Sequence, residues 1–323
     1  MSTGQKSPKP SLGYLDKYPN SGYSRSGRLK EDTLDLFAET EFRHVAPFKQ
    51  QLLKWIGNKQ RFAHEIASFF PAKFGTYFEP FLGSGAVLAT LWPGNAIGAD
   101  IFPALVKIWQ TLQKNPQLLC NWYEERYKIF STHTRPKGYE LIKASYNANP
   151  NGADLLFLSR SCYGGVVRFR KVDGYMSTPC GVHDPITPDS FNSRVRTWHQ
   201  RIKKTHFLCQ DFAQTLSMAR ENDFVYCDPP YTHSQAILYG GQDFSLQRLF
   251  NVIAKCKDRG VRVALSIDGK KKSGAVECDL DIPDGLFERE VFISCGRSML
   301  RRFQREGEIL TDEVVEDRLL ITY

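Results

Sequence analysis

The sequence has few of the residue patterns that hold metal ions or form redox pairs. Its 323 residues include 7 histidines and 8 cysteines, and the cysteines stand singly, without a C-x-x-C pair or a histidine cluster at ligand spacing. Because zinc sites and dithiol motifs depend on such spacing, we expect no metal. Cys209 and Cys227 lie in apolar runs, where a reduced thiol behaves as a small hydrophobe. This usage favours a reducing, cytoplasmic environment.

Long hydrophobic runs are also missing. No apolar stretch approaches the roughly 20 residues that cross a bilayer, and the first residues, MSTGQKSPKPSLGYL, contain no hydrophobic signal-peptide core. Hydrophobic residues make up 41% and charged residues 24% of the chain, as in ordinary globular proteins. We therefore expect a soluble, cytoplasmic protein with no membrane partner.

A complete phosphate-binding fingerprint is absent as well. The segment FEPFLGSGAV, residues 78–87, has Gly83 and Gly85 but lacks the third glycine of dinucleotide sites, and no G-x-x-x-x-G-K-[ST] motif occurs. These absences disfavour a dehydrogenase and a P-loop protein. A strand that enters Gly-x-Gly and then a helix still lets backbone amides approach a ligand closely. Asp100, after the next predicted strand, stands where a carboxylate can bind ribose hydroxyls.

Strand and helix patterns alternate along most of the chain. Strands are predicted near residue 78 and over 96–100, 206–209, 224–227, 261–266, 289–293 and 318–323. Helices are predicted over 85–91 and 244–260, and apolar residues at helical spacing predict another from about 50 to 70, stopped by Pro71. Such alternation is typical of an α/β fold with a mostly parallel sheet and helices on both faces.

Residues 110–203 break this rhythm. Helices are predicted over 116–130, 138–147 and 188–203, around SRSCYGGVVRFRKVDGYMSTPCG, in which basic and aromatic residues alternate with glycines. We interpret this region as an inserted, mainly helical subdomain with a basic hairpin. The main domain then comprises 46–109 and 204–323, and residues 1–45 form a basic, flexible arm. A net charge of +8 favours a polyanionic partner.

The fragment FVYCDPPYTH, residues 224–233, places a carboxylate, two prolines and a ring directly after an apolar run. Prolines are common strand stops, so the fragment taken alone favours a structural explanation. It is accompanied, however, by a set of other motifs in a fixed order: K-W-I-G-N-K at 54–59, F-E-P-F-L-G-S-G at 78–85, Asp100-Ile101, Asp211-Phe212 and D-P-P-Y at 228–231. In these motifs the chain resembles the Dam-like, D12 class DNA adenine N6 methyltransferases. The resemblance covers roughly residues 47–323, including the closing RLLITY.

The resemblance implies a Rossmann-like class I methyltransferase sheet and S-adenosylmethionine as methyl donor, with S-adenosylhomocysteine as product. It implies that Gly83 and Gly85 close under the methionine part, that Asp100 binds the ribose, and that Asp211 and Phe212 meet the adenine. Lys59 is expected to face the donor's carboxylate, a charge-assisted contact. The full set of implied cofactor residues is Trp55, Lys59, Glu79, Pro80, Phe81, Gly83, Gly85, Asp100, Ile101, Asp211, Phe212 and Asp228.

D-P-P-Y would carry the chemistry. The lone pair of adenine N6 is delocalised into the ring, so an enzyme must localise it and aim it at the methyl group. The Asp228 carboxylate and the Pro229 carbonyl can each accept one N–H of the amino group, and Pro229 and Pro230 stiffen the backbone that presents them. Tyr231 can stack on the purine and lend π density beside the cationic centre. We expect direct transfer without a covalent intermediate.

An adenine stacked in a duplex is out of reach, so the target base must be flipped out at a cost of about a few kcal/mol. The expected partner is double-stranded DNA, with phosphate contacts from Arg168, Arg170 and Lys171 and with Arg160 as a candidate for reading a base edge. Tyr163 and Gly164 complete the implied DNA-binding set. Gly164, Ser159 and Val167 depart from the family's usual residues, so no recognition sequence is predicted. A cognate restriction endonuclease is a candidate partner, and a monomer or weak dimer is expected.

Several alternatives stay open. Cytosine N4 or adenine in RNA would present the same kind of nitrogen, although aspartate at 228 favours adenine and the K-W-x-G-x-K start favours DNA. A catalytically inactive DNA-binding regulator of the same fold is a different class, and the intact D-P-P-Y argues against it. Pro179-Cys180 resembles the nucleophile of cytosine C5 methyltransferases. That chemistry attacks carbon and has no use for the acceptor pair at Asp228, so we disfavour it.

Overall fold

A computed structural model describes residues 43–230, 244–271, 281–297 and 314–323. Residues 1–42 of the predicted arm, which covers residues 1–45, lie outside these ranges. Tyr231 of the D-P-P-Y motif lies outside them as well. None of the helices in the described ranges is both long and apolar enough to cross a membrane.

The described residues form one seven-stranded sheet. Its strands follow each other in space in the order β3-β2-β1-β4-β5-β7-β6, and β7 runs antiparallel to both of its neighbours. The other observed pairings, β3 with β2, β2 with β1, β1 with β4 and β4 with β5, are parallel. The sheet confirms the predicted mostly parallel α/β fold. The strands are β1 Tyr77–Glu79, β2 Ala96–Asp100, β3 Thr205–Cys209, β4 Phe224–Cys227, β5 Arg262–Lys271, β6 Arg289–Arg297 and β7 Val314–Ile321.

Two apolar clusters cover the two faces of the sheet. Within β4, Phe224 and Tyr226 belong to one cluster and Val225 and Cys227 to the other, as the alternation of side chains along a strand requires. All four residues are buried, which explains their continuous apolar run. Helices on both faces supply the remaining core residues, as predicted.

Nine helices lie within the described ranges. Those at 116–131, 135–148, 188–202 and 246–258 correspond to predicted helices, and the last of them ends before Gly260, whose φ of +75° suits a glycine. The helices are α1 Ala63–Ser68, α2 Ala86–Leu91, α3 Pro103–Lys114, α4 Pro116–Ser131, α5 Arg135–Ala148, α6 Gly152–Ser161, α7 Pro188–Ile202, α8 Phe212–Ser217 and α9 Leu246–Asp258.

The helix predicted from about 50 to 70 is wrong in its first half. Only α1 is helical, and residues 54–59 form an irregular turn. Gly57 adopts φ +72°, and the Asn58 side chain accepts a hydrogen bond from the Gln60 N–H at 2.8 Å. Both features interrupt a helix, since left-handed backbone and a side chain bonded to nearby backbone favour turns. The turn places Trp55 beside Gly83, which follows β1, and Lys59 beside Asp228, which follows β4.

The basic hairpin is present in the helical region. Phe169 pairs antiparallel with Met176 near its tip, and Cys162 pairs with Cys180 at its base. Gly174, at φ +67°, turns the chain at the tip. The hairpin joins α6 to the segment that leads into α7.

Candidate functional site

A cavity of about 540 Å³ lies at the carboxyl ends of the parallel strands. Strands β1 and β4 are neighbours there, and the chain order of the sheet reverses between them, which is where ligands bind in open α/β sheets. The cavity brings together the predicted residues Trp55, Lys59, Glu79, Pro80, Phe81, Gly83, Asp100, Ile101, Asp211, Phe212, Asp228 and Pro230. Gly85 and Pro229 are not among its lining residues.

The glycine turn after β1 holds Asp100 in place. Gly83, at φ +47°, donates its N–H to Asp100 Oδ2 at 3.0 Å, and Phe102 donates its N–H to Oδ1 at 3.0 Å. Burial raises the pKa of Asp100, while these backbone donors lower it in part. A Cβ on Gly83 would lie 3.4 Å from the Trp55 ring, so the turn also needs a small residue.

Gly85 serves packing instead of lining the cavity. It has φ +60°, and a Cβ there would lie 3.4 Å from the Trp109 ring. Trp109 donates its indole N–H to the Gly83 carbonyl at 3.1 Å. The predicted cofactor-binding role of Gly85 stays a prediction, and in this structure the residue fixes the shape of the turn that carries Gly83.

Lys59 joins two carboxylates beneath the D-P-P segment. Its Nζ lies 3.0 Å from Asp228 Oδ1 and 3.2 Å from Asp317 Oδ2, and its side chain is 5% exposed. Burial lowers the pKa of Lys59, but Asp228 and Asp317 raise it by more, so the net pKa lies well above its ordinary value. We expected Lys59 to face a ligand carboxylate, whereas its partners here belong to the protein.

Asp317 was not identified from the sequence. It lies on β7, one residue before the RLLITY motif, and is 6% exposed. The strand predicted over 318–323 begins one residue after Asp317, so sequence reasoning gave this aspartate neither a place in a strand nor a partner 258 positions away.

Glu79, at the end of β1, is a second buried carboxyl group in the site. It is 3% exposed and accepts a hydrogen bond from the Tyr77 hydroxyl at 2.7 Å. Burial raises the pKa of Glu79 to about 8, against the opposing effect of the Tyr77 hydrogen bond and with a further contribution from Asp228. Glu79 is thus neutral at pH 7, while Lys59 is charged.

The opposite end of the cavity is aromatic and more open. Phe81 and Phe212 stack with ring centroids 5.2 Å apart, and Phe244 packs edge-on against both. Arg248, the first-turn residue of α9, lies 4.6 Å above the Phe212 ring and pairs with Asp211 at 2.6 Å.

Arg248 holds the Asp211 carboxylate in its ionised form. Burial raises the pKa of Asp211, but Arg248 and the Ala213 N–H lower it by more, so the net pKa is below its ordinary value. Sequence reasoning missed Arg248, because an arginine near a helix start looks like a solvated surface residue.

The helical region contributes a wall of the same cavity. Tyr146, Pro150, Phe169 and Gly174 line it, and the rings of Trp55, Phe102 and Phe169 follow one another at 6.3 and 5.5 Å. The hairpin that carries Phe169 is therefore in contact with the cavity through aromatic packing.

Most of the predicted DNA-binding residues are exposed on the hairpin. Arg168 and Lys171 are exposed, Tyr163 is 37% exposed, and Gly164 adopts φ +65° in the short 3-10 turn Tyr163–Gly165. Arg170 is exposed too, but its guanidinium pairs with Asp173 at 3.0 Å and lies 4.3 Å above the Tyr175 ring.

The buried position of Arg160 does not fit the predicted contact with a base edge. The residue is 4% exposed, and its guanidinium donates to the carbonyls of Gln51 at 3.2 Å and Leu52 at 2.8 Å. Burial lowers the pKa of Arg160. In this structure the residue fastens the segment before Trp55 to α6, and its donors do not face solvent.

Within the ranges that the structure describes, no group of three or more His, Cys, Asp or Glu side chains is arranged to hold a metal ion. The polar groups that the described residues bring to the site include the carboxyl groups, Lys59, Arg248 and the backbone groups named above.

Comparison with known proteins gives one family and several relatives. A family model described as D12 class N6 adenine-specific DNA methyltransferase matches residues 55–287. A DNA N-6-adenine-methyltransferase of Escherichia phage P1 is 26% identical over 247 residues, which cover 72% of this chain and 32% of that protein. The Retron Ec67 DNA adenine methylase of Escherichia coli is 31% identical over 189 residues, 56% of this chain and 63% of that protein.

A DNA adenine methylase of Haemophilus influenzae is 28% identical over 227 residues, covering 67% of this chain and 77% of that protein. The chain thus spans about a third of the phage protein and just under two thirds of the retron protein.

Proposed function

Because the chain belongs to the D12 class N6 adenine-specific DNA methyltransferases, we propose that it transfers a methyl group from S-adenosylmethionine to N6 of an adenine flipped out of double-stranded DNA. The observation that carries this proposal is the position of Asp228. It follows β4 at the switch point of the sheet, lines the cavity, and has Lys59 3.0 Å from its carboxylate.

The residues of the cavity fit S-adenosylmethionine. A volume of about 540 Å³ lies within the range of small-molecule sites, roughly 300–1,000 Å³. Each Asp100 oxygen accepts one backbone N–H, which leaves acceptor capacity for ribose hydroxyls. Phe212 and Asp211 would hold the adenine, and the turn at Gly83 would lie under the methionine part. When bound, this cofactor supplies a methyl group on a sulfonium sulfur and leaves as S-adenosylhomocysteine.

Asp228 and Pro229 would orient the amino group of the target adenine. Each accepts one N–H, and this pair of acceptors draws the nitrogen toward tetrahedral geometry with its lone pair free to attack. Lys59 supports the reaction by placing a positive charge 3.0 Å from the Asp228 carboxyl group, which favours its charged form. As the nitrogen gives up its electron pair, positive charge grows on the amino group, and the fixed carboxylate stabilises it.

DNA contacts would come from the hairpin and its surroundings. Arg168, Arg170 and Lys171 carry positive charge on an exposed turn beside the cavity, and the whole chain has a net charge of +8. Phosphate contacts of this kind position a protein without reading sequence. Tyr163 and Gly164 lie at the base of the same hairpin. We also place the protein in the cytoplasm, as a monomer or weak dimer, with a cognate restriction endonuclease as a further candidate partner.

The test uses purified protein, labelled S-adenosylmethionine and unmethylated duplex DNA, followed by nucleoside analysis of the product. We expect label on N6 of adenine, and Asp228→Ala to lower the rate at least on the order of 100-fold while cofactor affinity changes less. Asp284→Ala, which removes an exposed carboxylate, is the matched control. Robust transfer by Asp228→Ala would remove the role assigned to that carboxylate, and label on cytosine would change the substrate base.

A further inference from the structure

The aromatic end of the cavity contains an arginine that lies outside the recognised motifs. Arg248 belongs to the first turn of α9, where the Ser245 side chain caps the helix and accepts the Arg248 N–H at 3.2 Å. Phe244, just before this cap, packs edge-on against Phe81 and Phe212, with ring centroids 5.8 and 6.0 Å apart. The start of α9 therefore brings a ring and a guanidinium onto Phe212, the first residue of α8.

The guanidinium of Arg248 holds Asp211 with two hydrogen bonds. Its Nη2 donates to Oδ1 at 2.6 Å and its Nη1 donates to Oδ2 at 3.0 Å. This bidentate geometry fixes the plane of a carboxylate as well as its position. Asp211 also caps α8, because its Oδ1 accepts the Ala213 N–H at 2.8 Å. The carboxylate is thus held from α8 and from α9 together.

One oxygen of this carboxylate can accept a further hydrogen bond. Among the residues that the structure describes, the donors are Arg248 and Ala213 at Oδ1 and Arg248 alone at Oδ2. A carboxylate oxygen has two acceptor positions, so Oδ2 can take one more donor. The Asp211 side chain lines the cavity and is 25% exposed. A ligand in the cavity is therefore in a position to supply that donor.

Arg248 also offers a flat surface to a ring. Its guanidinium lies 4.6 Å from the centroid of the Phe212 ring, which supports it. Phe212 itself is largely buried, whereas 48% of the Arg248 side chain is exposed and the residue lines the cavity. A guanidinium is planar and weakly hydrated, and it stacks on aromatic faces. The same side chain can therefore contact the face of a purine while it directs Asp211 toward the purine's edge.

We propose that Arg248 is a positioning residue that makes this end of the cavity selective for a purine with an exocyclic amino group, the adenine of S-adenosylmethionine. This inference rests on the proposed function. Held by Arg248, the Asp211 carboxylate accepts one N–H of that amino group. A purine without the amino group leaves the carboxylate unpaired, and such an unpaired polar group is what gives a hydrogen-bonding site its selectivity. Without Arg248 the carboxylate turns toward solvent, and the selectivity is lost.

The test measures the binding of two ligands to the full chain by isothermal titration calorimetry, without DNA. One ligand is S-adenosylhomocysteine, and the other is its analogue with unsubstituted purine in place of adenine, which lacks the amino group. We expect the unchanged chain to bind S-adenosylhomocysteine about 10–100-fold more tightly than the analogue. Arg248→Gln should weaken the binding of S-adenosylhomocysteine about 10-fold and reduce this ratio to less than about 3-fold. A ratio that Arg248→Gln leaves unchanged would overturn the proposal, even if both ligands bound more weakly.

Two comparisons separate this effect from a general loss of structure. Arg220→Gln is the matched control, because it removes an exposed guanidinium before the start of β4, at the opposite end of that strand from the cavity. It should leave both affinities unchanged. In an Asp211→Asn background, which keeps a residue suited to capping α8, Arg248→Gln should change the ratio less than about 2-fold. A larger change there would show that Arg248 selects the ligand without Asp211, against the proposal.

Arg248→Lys keeps the positive charge but loses the bidentate geometry. Its ratio should therefore fall between those of the unchanged chain and Arg248→Gln. Should Arg248→Gln fail to fold, Arg248→Lys carries the same test, and a ratio equal to that of the unchanged chain would overturn the proposal.

Kinetics on duplex DNA give a second measurement. Arg248→Gln should raise the KM for S-adenosylmethionine about 10-fold and change kcat less than about 3-fold, because Arg248 acts on cofactor binding. A fall in kcat with an unchanged KM would contradict this. If the unchanged chain bound neither ligand, the proposed function and this inference would fail together. Binding of S-adenosylhomocysteine with the same ratio in Arg248→Gln would overturn the inference alone.

Discussion

Lys59 and Arg170 each pair with an aspartate, but the first pair is buried and the second exposed. The side chains of Lys59 and Asp228 are 5% and 18% exposed, whereas those of Arg170 and Asp173 are 54% and 46% exposed. An exposed pair contributes about 0–1 kcal/mol and weakens with salt. A buried pair adds little net stability either, yet removing one partner leaves an uncompensated charge. The two pairs have similar N–O distances of 3.0 Å, yet they are expected to respond very differently to mutation.

The largest effect is expected for Lys59→Met. It removes the ammonium that pairs with both Asp228 and Asp317, so we expect a loss of about 3–5 kcal/mol in the free energy of unfolding, measured by urea denaturation at pH 7. Lys49→Met, at an exposed position before the same turn, should change it by less than about 0.5 kcal/mol. Similar losses in the two variants would contradict the contrast between buried and exposed charges.

The Glu79→Gln variant tests, through the pH dependence of stability, whether burial raises the pKa of Glu79. The folded pKa of Glu79, about 8, lies above its ordinary value near 4.5, so the folded state keeps a proton that the unfolded state loses between these pH values. This contribution to stability is complete below pH 4.5 and declines as the pH rises to about 8, by an amount on the order of a few kcal/mol.

Thermal unfolding from pH 5 to pH 8 checks this sign. Glu79→Gln, which is neutral at every pH, should lose stability less steeply than the unchanged chain over that window. Parallel pH profiles for the two proteins would show that Glu79 is ionised in the folded state.

The smallest change in stability is expected on the hairpin. Lys171→Gln should leave the unfolding midpoint unchanged and reduce the slope of log affinity for duplex DNA against log salt by about 0.9, the loss of one phosphate contact. Arg160→Gln is the matched opposite, because it breaks buried contacts with Gln51 and Leu52 and should lower stability without changing the salt slope. A changed slope for Arg160→Gln would return that residue to the DNA-contacting set.

Much of the sheet could be predicted because its strands are short apolar runs bounded by glycine, proline and acidic residues. Val225 and its neighbours are buried on both faces, so the run FVYC predicts a strand without any knowledge of its partners. The cavity residues followed from motifs at the ends of such strands. Gly83, Asp100 and Asp228 meet because parallel strands end at one edge of a sheet.

The parts of the fold and of the site that could not be predicted depend on contacts that local sequence patterns do not encode. The segment before α1 has apolar residues at helical spacing, yet Gly57 and Asn58 form a turn that overrides it. Arg160 lies in a basic stretch, and only the packed structure shows its donors bound to backbone carbonyls. Asp317 and Arg248 find their partners, Lys59 and Asp211, through tertiary proximity between distant parts of the chain.

The side chains of β4 alternate between the two apolar clusters, so the number of residues in this strand determines which way the site residue after it faces. An insertion of one residue between Phe224 and Cys227 would move the side chains that follow it to the opposite face of the sheet and turn the residue after the strand toward the opposite layer of helices, if the start of the strand keeps its place. An insertion of two residues would restore the faces but lengthen the strand by about 7 Å. The number of residues in β4 before Asp228 is therefore constrained, because a change of one reverses the facing and a change of two lengthens the strand. Natural length changes should accumulate in the connections on either side of this strand.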